Sequence, residues 1–376
     1  MKKKILILFP YPFTEFIHYK FEISELKKKY NTSVIIHDLS KILINKKFSQ
    51  EWKTKIEKSA IQFNSLTSWI GAFLSKKKEK LLIINYVKTT NFNSFLINLF
   101  VKLSKNTIII HSPTSIFTSV KPHKRSVNFF LSRLKQHKFN ISVYLFALQK
   151  LFFSSIFKLI EAPKTIILSN NFDKIVLDYL EGVNKKKIIK IDFNSYDYSN
   201  ALRVKNKKKL KKKYIIYIDN GAPYFSGDAY LKGESSYLGD VKKQYIDLNN
   251  FFDKVEKIFK AKVIVIPHPK YKSYSSKIKS LNPYFNNREV DNSYDALARL
   301  SSNCLFFINK HSTAISYPIT FNKPVIHIYS SNYNYQREEW ESLFDLAKSI
   351  GQKPIDIINF KKSQISKNLK INKKKI

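Results

Sequence analysis

The chain has 376 residues, more than one ordinary hydrophobic core accommodates, so two domains are expected. Its hydrophobic fraction of 44% is that of a globular protein and excludes a disordered one. The single cysteine, Cys304, excludes an intrachain disulfide and a cysteine-rich zinc site. It fits a reducing compartment, and we therefore expect a cytoplasmic protein.

The charge balance is strongly basic, with 67 Lys and Arg residues against 28 Asp and Glu residues and a formal net charge of +39. Such an excess indicates a polyanionic partner: nucleic acid, an anionic membrane face or phosphorylated substrates. The alternative is a compositional drift that fills exposed faces with lysine, because Lys, Ile, Asn, Phe and Tyr dominate the chain while Gly, Ala and Arg are scarce.

The first half alternates short apolar strands with helical segments. Its start, MKKKILILFPYPF, resembles a signal peptide, but the apolar core is too short and Pro10 and Pro12 interrupt it, so we predict a buried strand. Continuous apolar strands separated by helices predict βαβ units around a buried parallel sheet. Strands are predicted at 4–9, 32–39, 81–87, 106–112, 164–170 and 187–193, and helices at 15–29, 47–60 and 91–104.

Residues 204–213 contain seven lysines in ten positions, which is typical of a solvated linker, with an anion-binding arm as the alternative. The same α/β pattern then resumes. Strands are predicted at 214–219, 262–268, 304–309 and 324–329, and helices at 241–261, 293–302, 312–322 and 336–350. We therefore predict an α/β protein of two Rossmann-like, doubly wound parallel-sheet domains facing a cleft, at 1–203 and 214–355, with the linker at 204–213 and a basic tail at 356–376.

Polar residues follow three strands of the second half, where parallel sheets bind ligands. Asp219 ends the first of these strands, before an Asn220–Gly221 turn. An acid at this edge is placed to act as a general base, although a carboxylate that caps local backbone amides is the structural alternative.

His268 follows the next strand, with Pro269 and Lys270 behind it. The proline biases His268 toward extended geometry, so the imidazole leaves the sheet in a defined direction. Histidine and lysine together suit a phosphate, because one donates from a fixed ring and the other adds a positive charge. A structural histidine is the alternative.

His311, Ser312 and Thr313 lie between the third strand and a predicted helix. Ser or Thr at this place is expected to cap the helix. The same geometry presents backbone amides and hydroxyls to an anion, so a cap and a phosphate contact are compatible.

Standard catalytic signatures are absent from the sequence: there is no G-x-G-x-x-G, G-x-x-x-x-G-K-[ST], H-E-x-x-H or G-x-S-x-G. Rossmann-like sheets without a glycine fingerprint argue against a dinucleotide redox enzyme. We predict no cofactor and no metal.

The order Asp-x-Gly, His-Pro and Ser-Thr, each at a strand end, resembles the motif set of bacterial sialyltransferases and related capsule and O-antigen transferases of the GT-B fold. The resemblance covers residues 214–330, and Asn220 stands where the family has a second acid. It implies that Asp219 deprotonates the acceptor hydroxyl and that His268, Ser312 and Thr313 contact the donor phosphate. It also implies an acceptor side in the first domain and a donor side in the second.

Four of the seven glycines of the chain lie between Gly221 and Gly239, together with Asp228 and Glu234. After a catalytic strand, such a loop is expected to move and to close over an acceptor. Asp228 and Glu234 are candidates to bind sugar hydroxyls, or to act as the base in place of Asp219. A plain surface loop is the structural alternative.

The resulting hypothesis is an inverting, metal-independent glycosyltransferase for a surface polysaccharide or lipopolysaccharide. Its donor would be a nucleotide-activated sugar, with a CMP-linked, sialic-acid-like sugar as the expected type. Its acceptor would be a glycan or lipid-linked glycan, reached from the cytoplasm by peripheral contact with the anionic inner membrane face. The alternatives are a CDP-polyol phosphotransferase of teichoic-acid type and a basic nucleic-acid-binding protein. We expect no nucleic-acid partner, because no recognition motif stands out.

Overall fold

The computed structural model describes residues 4–44, 56–76, 79–87, 89, 91–104, 106–111, 148–149, 152–153, 155–156, 165–168, 188–191, 196–204, 213–220, 241–268, 282–310, 312–332 and 337–370. These residues form two compact units, one within 4–191 and the other within 196–370. No helix among them has the length and apolar character needed to cross a membrane.

In the first unit the described strands form a seven-stranded parallel sheet in the order β3-β2-β1-β4-β5-β6-β7. The strands are β1 (Lys4–Phe9), β2 (Ser33–Asp38), β3 (Ala60–Gln62), β4 (Leu81–Asn85), β5 (Thr107–His111), β6 (Thr165–Leu168) and β7 (Ile188–Ile191). The helices between them are Glu15–Lys20, Ile23–Tyr30, Ser40–Leu43, Leu66–Leu74 and Phe92–Leu103.

Both faces of this sheet are buried, which explains why its strands are continuously apolar. Ile5 and Ile7 of β1 lie in one hydrophobic cluster with Ile23 of a covering helix. Leu6 and Leu8, which alternate with them, lie in the opposite cluster with Trp69 and other residues of the helices Leu66–Leu74 and Phe92–Leu103. The sheet is therefore covered on both sides, as the sequence predicts.

The second unit contains a five-stranded parallel sheet in the order β12-β11-β10-β8-β9. Its strands are β8 (Tyr214–Ile218), β9 (Val263–Ile266), β10 (Cys304–Asn309), β11 (Val325–Tyr329) and β12 (Ile355–Asp356). Its α-helices are Tyr196–Val204, Val241–Phe259, Ala296–Leu300, Ser316–Thr320, Arg337–Ser349 and Lys362–Asn368, and two 3-10 turns lie at Asn282–Phe285 and Thr313–Ile315. The predicted fold class, α/β with two doubly wound parallel sheets, is confirmed.

Helix Val241–Phe259 covers one face of the second sheet. Phe251, Phe252 and Val255 are fully buried against Ile215 and Ile308. Full burial of a side chain of this size stabilises the fold by about 1.5–3 kcal/mol. The opposite face packs on the helices Tyr196–Val204, Ala296–Leu300 and Ser316–Thr320. The strong apolar spacing seen in the sequence thus faces the core.

Three predicted segments differ from the structure. The helix predicted at 15–29 is broken, because Glu22 adopts a left-handed conformation with φ 50°. The described end of the helix predicted at 47–60 leads instead into strand β3. The helix predicted at 312–322 is a 3-10 turn followed by a short α-helix, which ends before Asn322 at φ 52°.

The domain limits predicted from the sequence meet two observations. Helix Tyr196–Val204 belongs to the second unit, where Asn200 donates a hydrogen bond of 2.8 Å to the hydroxyl of Tyr317. The segment predicted as a basic tail, 356–376, begins at the second residue of β12 and supplies helix Lys362–Asn368, in which Ile365 is fully buried. Lysines on the exposed face concealed this apolar contact in the sequence. Most of the predicted linker, 205–212, lies outside the described residues.

Arg288 fixes helix Val241–Phe259 to the rest of the second unit. Its guanidinium donates to Asn249 Oδ1 at 2.8 Å and to Glu256 Oε2 at 3.2 Å, and it pairs with Asp253. It also lies over the Phe252 ring, 5.3 Å from the centroid. The side chains of Arg288 and Glu256 are only 8% and 14% exposed, so their ion pair is largely shielded from water and salt, whereas Asp253 is 59% exposed.

We predict that Arg288→Met lowers the free energy of unfolding by about 3 kcal/mol, because it leaves the partly buried Glu256 carboxylate without its cation. The matched control is Arg299→Met, since the ion pair of Arg299 with Asp291 is 49% exposed on the arginine side. That change is expected to cost less than about 1 kcal/mol. Urea unfolding of both variants measures the difference, and equal losses would contradict the assignment.

Candidate functional site

The strand order of the second sheet reverses beside β8. The chain passes from β8 to β9 on one side and then returns to β10 on the other. Ile218, the last residue of β8, is in register with Ile266 of β9 and Asn309 of β10. The helices that follow β8 and β10, Val241–Phe259 and Ser316–Thr320, pack on opposite faces of the sheet. Open parallel sheets bind their ligands at the carboxyl edge beside such a reversal.

Asp219 is the first residue beyond β8 at this point. Its backbone N–H donates to the carbonyl of Ile266 at 3.0 Å, which fixes the residue against the end of β9. Its side chain accepts a hydrogen bond of 3.3 Å from the Tyr217 hydroxyl. Asp219 is 3% exposed. A carboxylate is thus held at the switch in strand order, in a place largely protected from solvent.

A pocket of about 30 Å³ opens beside Asp219, on the sheet face that helix Val241–Phe259 covers. Asp219 and Lys310, which follow β8 and β10, line it together and bring opposite charges into one cavity. Tyr329 and Ser330 line it at the end of β11. The remaining lining residues are Tyr217, Gln244, Tyr245, Leu248, Ile328 and Ile357. The pocket therefore combines a carboxylate, an ammonium group and polar side chains with aromatic and aliphatic walls.

Three lining residues come from the first turns of helix Val241–Phe259: Gln244, Tyr245 and Leu248. Tyr245 is almost fully buried, and its ring contacts Phe285 edge to face with centroids 5.3 Å apart. The adjacent Gln244 has a buried side-chain nitrogen, Nε2, which has no hydrogen-bond partner among the described residues. The helix thus presents an amide group to the pocket while its hydrophobic face is held in the core.

The residues predicted from the sequence meet different outcomes. Asp219 lies in the pocket, whereas His268 and Ser312 are not among its lining residues in the described part of the chain. His268 lies two residues beyond β9 and is half-buried. Ser312 caps the 3-10 turn, accepting a hydrogen bond of 3.2 Å from the N–H of Ala314, so the predicted capping role is confirmed.

The three strand ends β9, β8 and β10 are neighbours on one edge of the sheet. This order brings the segments of His268, Asp219 and Ser312 to that edge. Of Thr313 only the backbone is described. The other candidates lie outside the described residues: Gly221, Asp228, Glu234, Lys270 and His311.

Sequence reasoning missed Lys310, Gln244, Tyr329 and Ser330. Lys310 and Ser330 directly follow β10 and β11, so the rule that selected Asp219 applies to them equally. Lys310 was overlooked among the many lysines of the chain. Gln244 carries no such signal, because the packing of the helix on the sheet decides which of its residues line the pocket, and the sequence does not show that packing.

Asn309 presents a second amide at this edge, and strand alternation places it on the opposite face from Lys310. It is fully buried, yet within the described part of the chain neither Oδ1 nor Nδ2 has a hydrogen-bond partner. Its register partner on β11 is His327, also fully buried. A buried amide without partners lowers stability. The end of β10 is therefore not optimised for stability alone.

The corresponding edge of the first sheet is filled by side chains. The Phe9 ring at the end of β1 contacts the rings of Phe13, Phe21 and Tyr86 at centroid distances of 5.4–5.8 Å. Asp38 is fully buried and accepts hydrogen bonds from the backbone N–H groups of Phe13 at 2.8 Å and Ser40 at 2.9 Å. Both oxygens of this carboxylate accept hydrogen bonds from the two loops and hold them in place.

His37 precedes Asp38 and accepts a hydrogen bond of 3.2 Å at Nδ1 from the Trp69 indole. Burial, and to a smaller extent the charge of Lys76, lowers the pKa of His37 to about 4. The imidazole is therefore neutral at pH 7. Among the described residues, no three His, Cys, Asp or Glu side chains lie close enough together to hold a metal ion.

We predict that Asn309→Val leaves the free energy of unfolding unchanged or raises it by about 1 kcal/mol, because it removes a buried amide without partners. Asn249→Val is the matched control, since Asn249 is also buried but donates to the Tyr284 carbonyl at 2.8 Å and accepts from Arg288. The control is expected to lose about 2 kcal/mol. Equal losses in urea unfolding would show that the Asn309 amide is structurally satisfied.

A comparison with models of known protein families finds no match, and a comparison with curated proteins finds none either. Among solved structures, the chain is similar to the UDP-GlcNAc 2-epimerase from Methanocaldococcus jannaschii, with 13% identity, a TM-score of 0.49, and coverage of 100% of this chain and 94% of that one. It is also similar to Acinetobacter baumannii MurG, with 9% identity, a TM-score of 0.45, and coverage of 97% and 89%.

A third similar structure is Phytolacca americana UGT2 complexed with UDP-2fluoro-glucose and pterostilbene, with 9% identity, a TM-score of 0.45, and coverage of 93% of this chain and 83% of that one. Similarity at this level does not identify a reaction. The function of this chain has to come from the residues of its own site.

Proposed function

We propose that the chain is a glycosyltransferase that moves a sugar from a nucleotide-activated donor to a hydroxyl of a glycan acceptor. The observation that carries the proposal is Asp219: a carboxylate 3% exposed, at the switch in strand order of a parallel sheet, in one pocket with Lys310. Ligands of open parallel sheets bind at such a switch point. A carboxylate and an ammonium group together match the two charges that sugar transfer develops.

Asp219 has the role of general base in this mechanism. It takes the proton of the acceptor hydroxyl as that oxygen attacks the anomeric carbon and the bond to the donor phosphate breaks. The backbone hydrogen bond to Ile266 and the Tyr217 hydroxyl hold the carboxylate in place, so little reorganisation is needed during the reaction. Attack from the side opposite the leaving phosphate inverts the anomeric centre.

The leaving phosphate gains negative charge as the sugar departs. Lys310, one residue beyond β10, supplies a positive charge beside the pocket. His268 follows β9 and Ser312 follows β10, at the same edge of the sheet. We assign the phosphate to these three residues, with Lys270, His311 and Thr313 as further candidates. In this proposal, fixed donors stabilise the phosphate in the way a metal ion does in other transferases.

The donor is proposed as a nucleotide-activated sugar and the acceptor as a glycan or lipid-linked glycan. Two donor types are considered: the CMP-linked, sialic-acid-like sugar expected from the sequence, and a UDP-linked sugar, because UDP occurs in the names of several similar structures. Asp228, Glu234 and Gly221 stay candidates on the acceptor side.

Contact with an anionic membrane face stays a prediction from the net charge of +39. Flotation with phosphatidylglycerol vesicles, compared with phosphatidylcholine vesicles, tests that contact, and equal recovery from both would reject it.

We predict that one of CMP, CDP, UDP or GDP raises the melting temperature of the wild-type protein, because a ligand that binds only the folded state stabilises it. Lys310→Met and His268→Ala are expected to weaken that nucleotide by about tenfold or more, since each removes a donor to a charged phosphate. Lys257→Met, an exposed lysine on helix Val241–Phe259, serves as the control for loss of one charge. A thermal-shift titration measures all four proteins.

A response to CDP that CDP-glycerol strengthens and nucleotide sugars do not would favour the polyol phosphotransferase. If no nucleotide stabilises the wild type while DNA or RNA does so in a salt-sensitive manner, equally in every variant, the transferase proposal is wrong.

A further inference from the structure

The side-chain nitrogen of Gln244 makes no hydrogen bond that would hold the fold together among the described residues. Helix Val241–Phe259 is anchored elsewhere, by the buried contacts of Phe251 and Phe252 and by the Arg288 network. Gln244 nevertheless keeps its Nε2 atom buried without a hydrogen-bond partner, in the lining of the pocket that holds Asp219. Burial of an unsatisfied donor lowers stability, so such groups call for an explanation in function.

The neighbours of Gln244 indicate what the amide would bind. Lys310 lines the same pocket, and an ammonium group is a donor only. An amide N–H and an ammonium group around one cavity fit a ligand group rich in acceptor oxygen. Asp219, as a carboxylate, only accepts hydrogen bonds, so it does not suit an oxygen-rich acceptor group and instead suits ligand hydroxyls, which donate. Tyr245 and Tyr329 add aromatic walls of the kind that pack on the C–H face of a sugar ring.

We propose that Gln244 determines donor specificity by donating a hydrogen bond to a carboxylate or acylamino oxygen on the transferred sugar. This inference rests on the proposed glycosyltransferase function and names the class of sugar that the same pocket accepts. A sugar with only hydroxyl groups leaves the Gln244 amide donor without an anionic or carbonyl oxygen. A site built to donate to a ligand group discriminates strongly against the analogue that lacks it.

Two substitutions separate this role from a structural one. Gln244→Met keeps the length and removes the donor. Gln244→Glu keeps the shape but replaces the donor with a negative acceptor, which repels a sugar carboxylate. Asn250→Met is the matched control, since Asn250 is an exposed amide on the same helix. Because Gln244→Met removes a buried unsatisfied group, its melting temperature without ligand is expected to equal or exceed that of the wild type.

Calorimetric titration with four donors provides the test. UDP-N-acetylglucosamine carries an acylamino group, UDP-glucuronic acid a carboxylate, CMP-N-acetylneuraminic acid both, and UDP-glucose neither. We expect at least one of the first three to bind the wild type and Asn250→Met at least about tenfold tighter than UDP-glucose. In Gln244→Met that advantage is expected to fall below about threefold, with UDP-glucose affinity unchanged.

Gln244→Glu tells the two oxygen sources apart. Loss of UDP-glucuronic acid binding far beyond that seen in Gln244→Met assigns a carboxylate to this position. Equal losses in the two variants, confined to UDP-N-acetylglucosamine, assign the acylamino carbonyl.

The failures are distinguishable. If the wild type binds these donors but Gln244→Met keeps the same preference, or if all four bind equally, the inference about Gln244 is wrong and the transferase proposal stands. If the wild type binds none of them, this inference is wrong, and the transferase proposal fails with it if CDP and GDP also leave the melting temperature unchanged. A lower melting temperature for Gln244→Met without ligand would show that the amide has a structural partner, which also overturns the inference.

Discussion

The pairing of Ile218 with both Ile266 and Asn309 is the constraint on which the candidate site depends. It makes β8 the strand at which the order of the second sheet reverses. Parallel strands end at one edge, so this pairing alone brings the segments after β8, β9 and β10 together. Asp219 follows at once, held by the Ile266 carbonyl, and Lys310 enters the same pocket from the other side. The grouping of Asp219 and Lys310 at this edge is thus a consequence of strand order rather than of any single motif.

Hydrogen bonding of buried polar groups is uneven in the second unit. Away from the pocket, Arg288 joins Asn249 and Glu256, and Glu256 Oε1 accepts from the N–H of Val263 at 2.7 Å. Thr320 Oγ1 is buried there without a partner among the described residues. At the carboxyl edge, Gln244 and Asn309 bury amide atoms without partners. Proteins depart from full polar satisfaction mainly where function requires it. At the corresponding edge of the first unit, aromatic rings fill the space and two loops engage Asp38. His37 Nε2 is also buried there without a partner among the described residues.

Most of the fold was predictable because buried parallel strands are continuously apolar, and β1, β4, β8 and β10 were located from that feature within two residues. The helix break at Glu22 was not predictable, because the sequence does not mark a left-handed residue of this type. The packing of helix Lys362–Asn368 was not predictable either, because its few apolar positions lie among lysines. Of the site, Asp219 was predictable from its strand end. Gln244 was not, because the sequence does not say which turn of a helix meets a sheet edge. Lys310 was hidden by the lysine content of the chain, and the roles of His268, Ser312 and the other candidates stay predictions.

Hydrogen exchange followed by mass spectrometry, with and without the nucleotide that stabilises the protein, tests the central claim most directly. In the proposed site, the ligand lies at the carboxyl edge of the second sheet. Nucleotide binding is therefore expected to slow the exchange of backbone amides at 241–248, 310–316 and 329–332, with no change at 10–14 and 39–44 of the first unit. Protection confined to the first unit, or spread evenly over both, would contradict the assignment of the site to Asp219 and its pocket.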